Sequence, residues 1–279
     1  MRPRFARPLA AALAALSFGA GPGAADPVPY APTKPGQVPD AILGKGAAPR
    51  GETVHYFPAD PKAAGYLAVP AGPGPHGAVI LIHEWNGLVE RVRQVADAFA
   101  AEGYVALAAD LYSGRTGATT EQNRALVRET LADPDRLVAN LDAAAALLKA
   151  RPDVGGKVAA IGWCYGGGVA LSYALGSPNH EGTAIFYGSL LDDPKRLAAI
   201  HHEVYGTFAG NDRGITREQV DAFVAALRKA GVPNEVHVYD EVNHGFWLHV
   251  DRDPATNLAP ATDAWTRLKA YLERTLGGS

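Results

Sequence analysis

The stretch Val158-Ala159-Ala160-Ile161-Gly162-Trp163-Cys164-Tyr165-Gly166-Gly167 decides how this chain is read. Four apolar residues that fit a buried strand run into a turn with glycine on both sides of a cysteine, and a helix is expected beyond. The pattern Gly-x-Cys-x-Gly has the form of a nucleophile elbow with sulfur in place of the hydroxyl. A strand-to-helix turn this tight forces its central residue into strained backbone angles and brings neighbouring backbones together, so flanking side chains would clash. The thiol is thereby held at a helix N-terminus, where the dipole favours the thiolate. The plainer reading is a glycine-rich turn around a packed, inert cysteine; the strand before and the helix after disfavour it. A phosphate loop does not fit, because neither GxxxxGK nor GxGxxG spacing is present.

Working outward, apolar runs alternate with amphipathic stretches. Residues 53–57 and 65–69 read as two short strands, an antiparallel pair at a sheet edge. Ala78 to Ile82 and Tyr104 to Ala109 are continuous apolar runs, the mark of strands covered on both faces. Between them Val92, Val95, Ala96 and Phe99 fall at helical spacing, and Gly103 stops that helix. After a long polar loop, helices are expected over 121–131 and 135–149. Further strands are expected over 183–187, 203–208 and 235–239. The helix between the last two opens at Thr216, with Gln219 as its capping-box partner. A final helix runs from Ala261 to Leu276. The alternation predicts a single-domain α/β architecture, a mostly parallel sheet with helices on both faces, with ligands at the carboxyl ends of the strands.

The chain has 279 residues, 47% of them hydrophobic, enough for one sizeable core. Its net charge of -3 and the lack of a basic stripe argue against nucleic-acid or membrane-surface partners. Residues 1–25 join a short basic region, Met1 to Arg7, to an apolar stretch from Leu9 to Ala20 and the small residues Gly23-Ala24-Ala25. This is the layout of a secretory signal, and the apolar run is short for a membrane anchor. Removal near Ala25 and an exported protein, periplasmic or secreted, are expected. Residues 26–50 hold several prolines and few large apolar groups, so they read as an extended lead-in to a domain spanning 51–279. A single cysteine cannot form an internal disulfide. Cys164 is therefore an inert buried residue, a partner for another chain or a reactive thiol.

An elbow nucleophile needs a base steered by an acid, in the chain order nucleophile, acid, histidine. Asp212 follows the strand ending at Phe208, and His244 follows the one ending at Tyr239, so both fall in strand-end loops. Asp240 is the rival for the acid, with a turn role as its other reading. Glu84 follows the strand ending at Ile82 and sits on the same rim. It is either a solvated loop charge or, beside the cysteine, a group that holds the resting thiol less reactive. The backbone N–H groups of Trp85 and Tyr165 are candidates for an oxyanion hole. His237 alternates within a strand, while His201 and His202 precede one. With no HExxH spacing and no cysteine pair, no metal site is expected.

Several motifs together resemble the dienelactone hydrolase (carboxymethylenebutenolidase) family. They are His83-Glu84-Trp85-Asn86-Gly87-Leu88, Glu102-Gly103-Tyr104-Val105-Ala106, Asp110-Leu111-Tyr112, the cysteine elbow, Gly210-Asn211-Asp212 and Asn243-His244-Gly245-Phe246. The likeness covers most of the chain, from Val54 to Leu276. It implies an α/β-hydrolase fold with a triad of Cys164, Asp212 and His244. It also implies a glutamate, Glu84, that interacts with the thiol and is displaced when substrate binds. Members acting on dienelactone hold its carboxylate with two arginines. Arg124 best matches the first, with Arg115 and Arg128 nearby. The second would stand four residues beyond the histidine, where this chain has Leu248, so half of that charge-assisted clamp is gone. Trp247 and Tyr112 are further candidates for substrate contact.

The expectation is a hydrolase without cofactor, cleaving a small-molecule lactone or activated ester through a thioester on Cys164. A monomer with no stable membrane span after signal removal is expected. Two other readings stay open: a non-catalytic exported binding protein on the same fold, and a redox-sensing thiol that links dimers.

Overall fold

In the computed structural model, residues 31–277 are described; the expected signal segment, residues 1–25, lies outside them. The first half of the chain gives β1 (Glu52–Val54), β2 (Gly65–Ala68), β3 (His76–Ile82), α1 (Glu90–Ala101), β4 (Val105–Ala109), α2 (Thr120–Leu131) and α3 (Pro134–Lys149). The second half gives β5 (Val154–Trp163), α4 (Tyr165–Gly176), β6 (Gly182–Phe186), α5 (Pro194–Leu197), β7 (Val204–Ala209), α6 (Arg217–Ala230), β8 (Asn234–Tyr239) and α7 (Pro254–Leu276). Among the described residues, one sheet holds all eight strands in the order β1-β2-β4-β3-β5-β6-β7-β8. β2 runs antiparallel to both β1 and β4, and the pairs from β4 to β8 are parallel. Ile82 pairs with Ala109 on one side and Gly162 on the other, so β3, β4 and β5 end level with one another. That register gathers the loops after three strands on one rim.

The continuous apolar strands follow from burial on two faces. In β3, Val79 and Leu81 meet Val95 and Phe99 of α1 and Trp265 and Leu268 of α7. Their neighbours Ala78, Ile80 and Ile82 turn the other way, toward Leu141 and Leu148 of α3 and Val169 and Tyr173 of α4. Each such large side chain contributes roughly 1.5–3 kcal/mol when fully buried, which leaves no position for polar alternation. A third cluster packs Val220, Phe223 and Leu227 of α6 on Ile185 and Phe208. The capping box at the start of α6 forms as the sequence suggests, with Thr216 accepting from the amide of Gln219.

Two expectations need correction. The lead-in is not merely extended: residues 40–43 form a 3-10 turn, and Val38, Ala41 and Ile42 are buried in the α1–α7 core. Gln94 of α1 donates to the carbonyls of Gly46 and Ala47, both at 3.1 Å. Prolines describe the local backbone, whereas three apolar side chains on and just before one turn are enough to dock it, so the folded unit starts before Gly51. The last helix begins at Pro254, capped by Asp253, and carries Pro260 inside it. Among the described residues, no helix is long and apolar enough to cross a membrane.

Candidate active site

Strand β5 ends at Trp163 and α4 begins at Tyr165, leaving Cys164 as the joint between them. Its φ of 56° and ψ of -118° lie where an L residue is strained, at a cost of roughly 1–3 kcal/mol. The surroundings impose this conformation. Cys164 donates its amide to the Phe186 carbonyl at 3.0 Å, and its own carbonyl accepts from the amides of Gly167 at 3.0 Å and Gly168 at 3.3 Å. A Cβ on Gly162 would stand 2.0 Å from the Gly166 carbonyl oxygen, and one on Gly166 would stand 2.2 Å from that of Ile82. These are backbone atoms and cannot rotate away. Gly166→Ala is therefore expected to destabilise the fold by about 3 kcal/mol. A thermal melt reads this as a drop of roughly 2–4 °C per kcal/mol; an unchanged midpoint would show that the elbow has slack.

Around the elbow, the loops after β7 and β8 bring Asp212 and His244 together. His244 Nδ1 lies 2.6 Å from Asp212 Oδ2, while Asp212 Oδ1 accepts from the amides of Gly214 at 2.8 Å and Ile215 at 3.2 Å. With Nδ1–H committed to the carboxylate, the other ring nitrogen is left for Cys164, whose charge acts on the imidazole. Burial works to lower the imidazole's pKa. The bonds and charges of Asp212 and Cys164 outweigh it and push the value up to about 10. For Asp212, burial raises the carboxyl, but His244 and the two amides hold it below the usual carboxylate value. Cys164 is half-buried. The rival acid, Asp240, is exposed and bound to Arg217 at 2.6 Å.

Glu84 is placed differently from what the resemblance implies. Its carboxylate Oε2 is 2.7 Å from His249 Nε2, and among the described residues it has no hydrogen bond to Cys164. Arg91 donates to His249 Nδ1 at 3.4 Å, so the ring proton sits on Nε2 and is donated to Glu84. Arg91 is itself held by both oxygens of Asp251, at 2.6 and 2.9 Å. The physical reason lies one residue earlier: Leu248 is turned into the core, and its neighbour His249 meets the carboxylate instead.

The proposed substrate contacts also change. Trp247 is fully buried, stacked on Trp163 with ring centroids 5.6 Å apart. Tyr112 is buried as well, its hydroxyl donating to the Trp85 carbonyl at 3.1 Å. Both aromatics belong to the packing beneath the site, because a ring in a strand-end loop can turn inward as readily as outward. Arg124 is exposed on α2, with no polar partner among the described residues. The Trp85 side chain is the large exposed aromatic on the rim. The Tyr165 amide opens α4, where a first-turn N–H has no acceptor within its helix.

One residue of the site escaped the sequence reading. Tyr187, just beyond β6, has a φ of 39°. Its ring lies 5.0 Å from that of His244, and its hydroxyl accepts from the Leu248 amide at 3.3 Å. It braces the loop that carries the histidine. The available signal was Phe186-Tyr187-Gly188, a polar-tipped ring followed by glycine at the end of an apolar strand.

Residues 63–276 match the sequence profile described as the dienelactone hydrolase family. The "Putative carboxymethylenebutenolidase" of Methylorubrum extorquens is 31% identical over 223 residues, which cover 75% of this chain and 76% of that protein. The solved structure titled m3DLH is 26% identical with a TM-score of 0.71, covering 83% of this chain and 100% of its own. A thermophilic esterase from Thermogutta terrifontis shares the fold at 19% identity and a TM-score of 0.62, covering 82% of this chain and 95% of its own.

Proposed function

The chain belongs to the dienelactone hydrolase family, and from that premise we propose that it hydrolyses lactones or activated esters by acyl transfer to Cys164. One arrangement carries the reading: a half-buried cysteine on a strained elbow, interacting electrostatically with an imidazole that Asp212 grips at 2.6 Å. In the first step the sulfur, with the proton of the pair held on His244, attacks the acyl carbon. The carbonyl oxygen becomes an oxyanion facing the amides of Trp85 and Tyr165. The carbon–oxygen bond to the leaving group then breaks, His244 delivers the proton to that oxygen, and a thioester remains. In the second step His244 takes a proton from water, the hydroxide attacks the thioester, and the sulfur leaves with the carboxylic acid released. Asp212 holds the ring's tautomer and stabilises the imidazolium throughout.

Substrate class follows from the same surroundings. A thiolate attacks activated acyl groups well, so enol lactones and aryl esters are a better match than amides, whose leaving nitrogen must be protonated as it departs. The carboxylate of Glu84 is buried just after β3, bound to His249, and Leu248 stands where the resemblance implies one arm of the arginine clamp. Neutral acyl groups therefore fit better than carboxylate-bearing ones. The test is a side-by-side panel of enol lactones, aryl esters and amides, with and without a free carboxylate. Turnover of amides alone, or of no member, would sink the proposal.

Export belongs to the same proposal, on the strength of the basic, apolar and small-residue segments of residues 1–25. N-terminal sequencing of the protein recovered from the periplasm or medium is expected to begin at Asp26. A chain retained in the cytoplasm with Met1 intact would overturn it.

A further inference from the structure

We propose that His83 is a positioning residue for acyl transfer: it fixes the peptide plane between Glu84 and Trp85 so that the Trp85 amide faces the oxyanion. This rests on the acyl-transfer reading above and adds to it a buried side chain that touches neither substrate nor sulfur. His83 directly follows β3 and is fully buried. Its Nδ1 is 2.7 Å from the Glu84 carbonyl oxygen, and the Leu111 amide donates to its Nε2 at 3.3 Å. A backbone amide can only donate, so Nε2 carries the lone pair and Nδ1 carries the proton. The ring is thus a wedge with a defined tautomer, accepting from the loop after β4 and donating to the loop after β3.

The consequence for Trp85 is set by peptide geometry. In a trans peptide the carbonyl and the N–H lie in one plane and point in opposite directions within it. The Glu84 carbonyl is drawn inward by His83 Nδ1–H and by the Gly87 amide, which donates to it at 3.2 Å. The Trp85 N–H, in the same plane, must then point away from the buried ring. The next plane is pinned too, by the Tyr112 hydroxyl on the Trp85 carbonyl at 3.1 Å.

The wedge also reaches the elbow. The His83 ring packs edge-on to Tyr112 with centroids 4.6 Å apart and stacks on Tyr165 at 6.0 Å. Tyr165 owns the other oxyanion amide. Behind it Gly166 lies against the end of β3, where an added Cβ would stand 2.5 Å from the His83 carbonyl oxygen. One buried histidine therefore ties together both donors of the oxyanion hole. Burial holds its pKa below the ordinary imidazole value, so the donor–acceptor pattern is kept in mild acid.

The test compares two reactions of the same sulfur. Iodoacetamide alkylates a thiolate by displacement at a saturated carbon and builds no oxyanion, whereas p-nitrophenyl acetate must pass through one. His83→Phe keeps a ring between Tyr112 and Tyr165 but removes the donor. It is expected to lower kcat for the ester by roughly 10- to 100-fold, because a misaligned oxyanion donor loses much of what a deleted one does. KM and the alkylation rate should stay within about twofold of wild type. His83→Asn, whose side-chain N–H₂ stands near the lost Nδ1, should recover most of the rate. Unchanged kcat in His83→Phe, alkylation falling in step with hydrolysis, or no recovery in His83→Asn would each overturn the proposal. A wild type no faster than Cys164→Ala would instead sink the acyl-transfer reading itself. If His83→Phe does not fold, Tyr112→Phe carries the same comparison, with reduced kcat and unchanged alkylation expected.

Discussion

Cys164→Ala is expected to cut kcat/KM for p-nitrophenyl acetate by about 10⁴-fold or more, because removing one member of a nucleophilic triad disables the whole unit. The variant should remain folded. Alanine meets the same strained φ of 56° as the cysteine, and the hydrogen bonds that set the elbow come from backbone atoms of Cys164, which alanine keeps. Cys164→Ser sharpens the test. A hydroxyl is far less acidic than a thiol, so it depends on His244 as a strong base at the moment of attack. Only a small part of the activity should return. Full activity in the serine variant would show that the reaction makes no use of sulfur, and full activity in the alanine variant would remove the nucleophile assignment altogether.

The second large effect is expected from Asp212→Asn, with kcat falling by roughly 10³- to 10⁴-fold while the architecture stays in place. The asparagine amide can no longer accept Nδ1–H with a full charge, and its own N–H₂ can turn toward the ring and favour the wrong tautomer. The pH dependence gives an independent check. The imidazole's pKa is raised to about 10 from 6.5, so the folded state gains stability that is complete below 6.5 and fades as pH rises through 10. The Asp212 carboxyl is held below 3.8, so its contribution exists above that value and fades as pH falls through the folded one. Asp212→Asn removes the acid-side loss and moves the alkaline side down, because one of the two groups raising the imidazole is gone. The alkaline limb of kcat/KM should move with it. A limb that stays where the wild type has it would assign that titration to another group.

The elbow, the parallel sheet and the pairing of Asp212 with His244 are legible in the sequence, each for a local reason. An apolar run followed by glycine, cysteine and glycine constrains only residues adjacent in the chain. The capping box at Thr216 and Gln219 spans three residues. The acid and the histidine each follow an apolar run, which is a matter of chain order. Asp240 remained an alternative because it also follows a strand; its exposure and its ion pair with Arg217 distinguish it only in space.

What chain order could not supply was direction. Glu84 and His249 are 165 residues apart, and their meeting depends on Leu248 turning into the core and leaving its neighbour to face the rim. Trp247 and Tyr112 are amphipathic rings in strand-end loops, and their sequence neighbourhood is the same whether they line a pocket or a core. The lead-in docks through Val38, Ala41 and Ile42, three side chains in a segment whose composition suggests none would be needed. Sequence alone determined which chemical groups arrive at the carboxyl ends of the strands, because backbone periodicity and tight turns are set over a few residues. Tertiary packing alone decided which way each of those groups points and what it holds, because a rotamer is chosen by atoms that are distant along the chain.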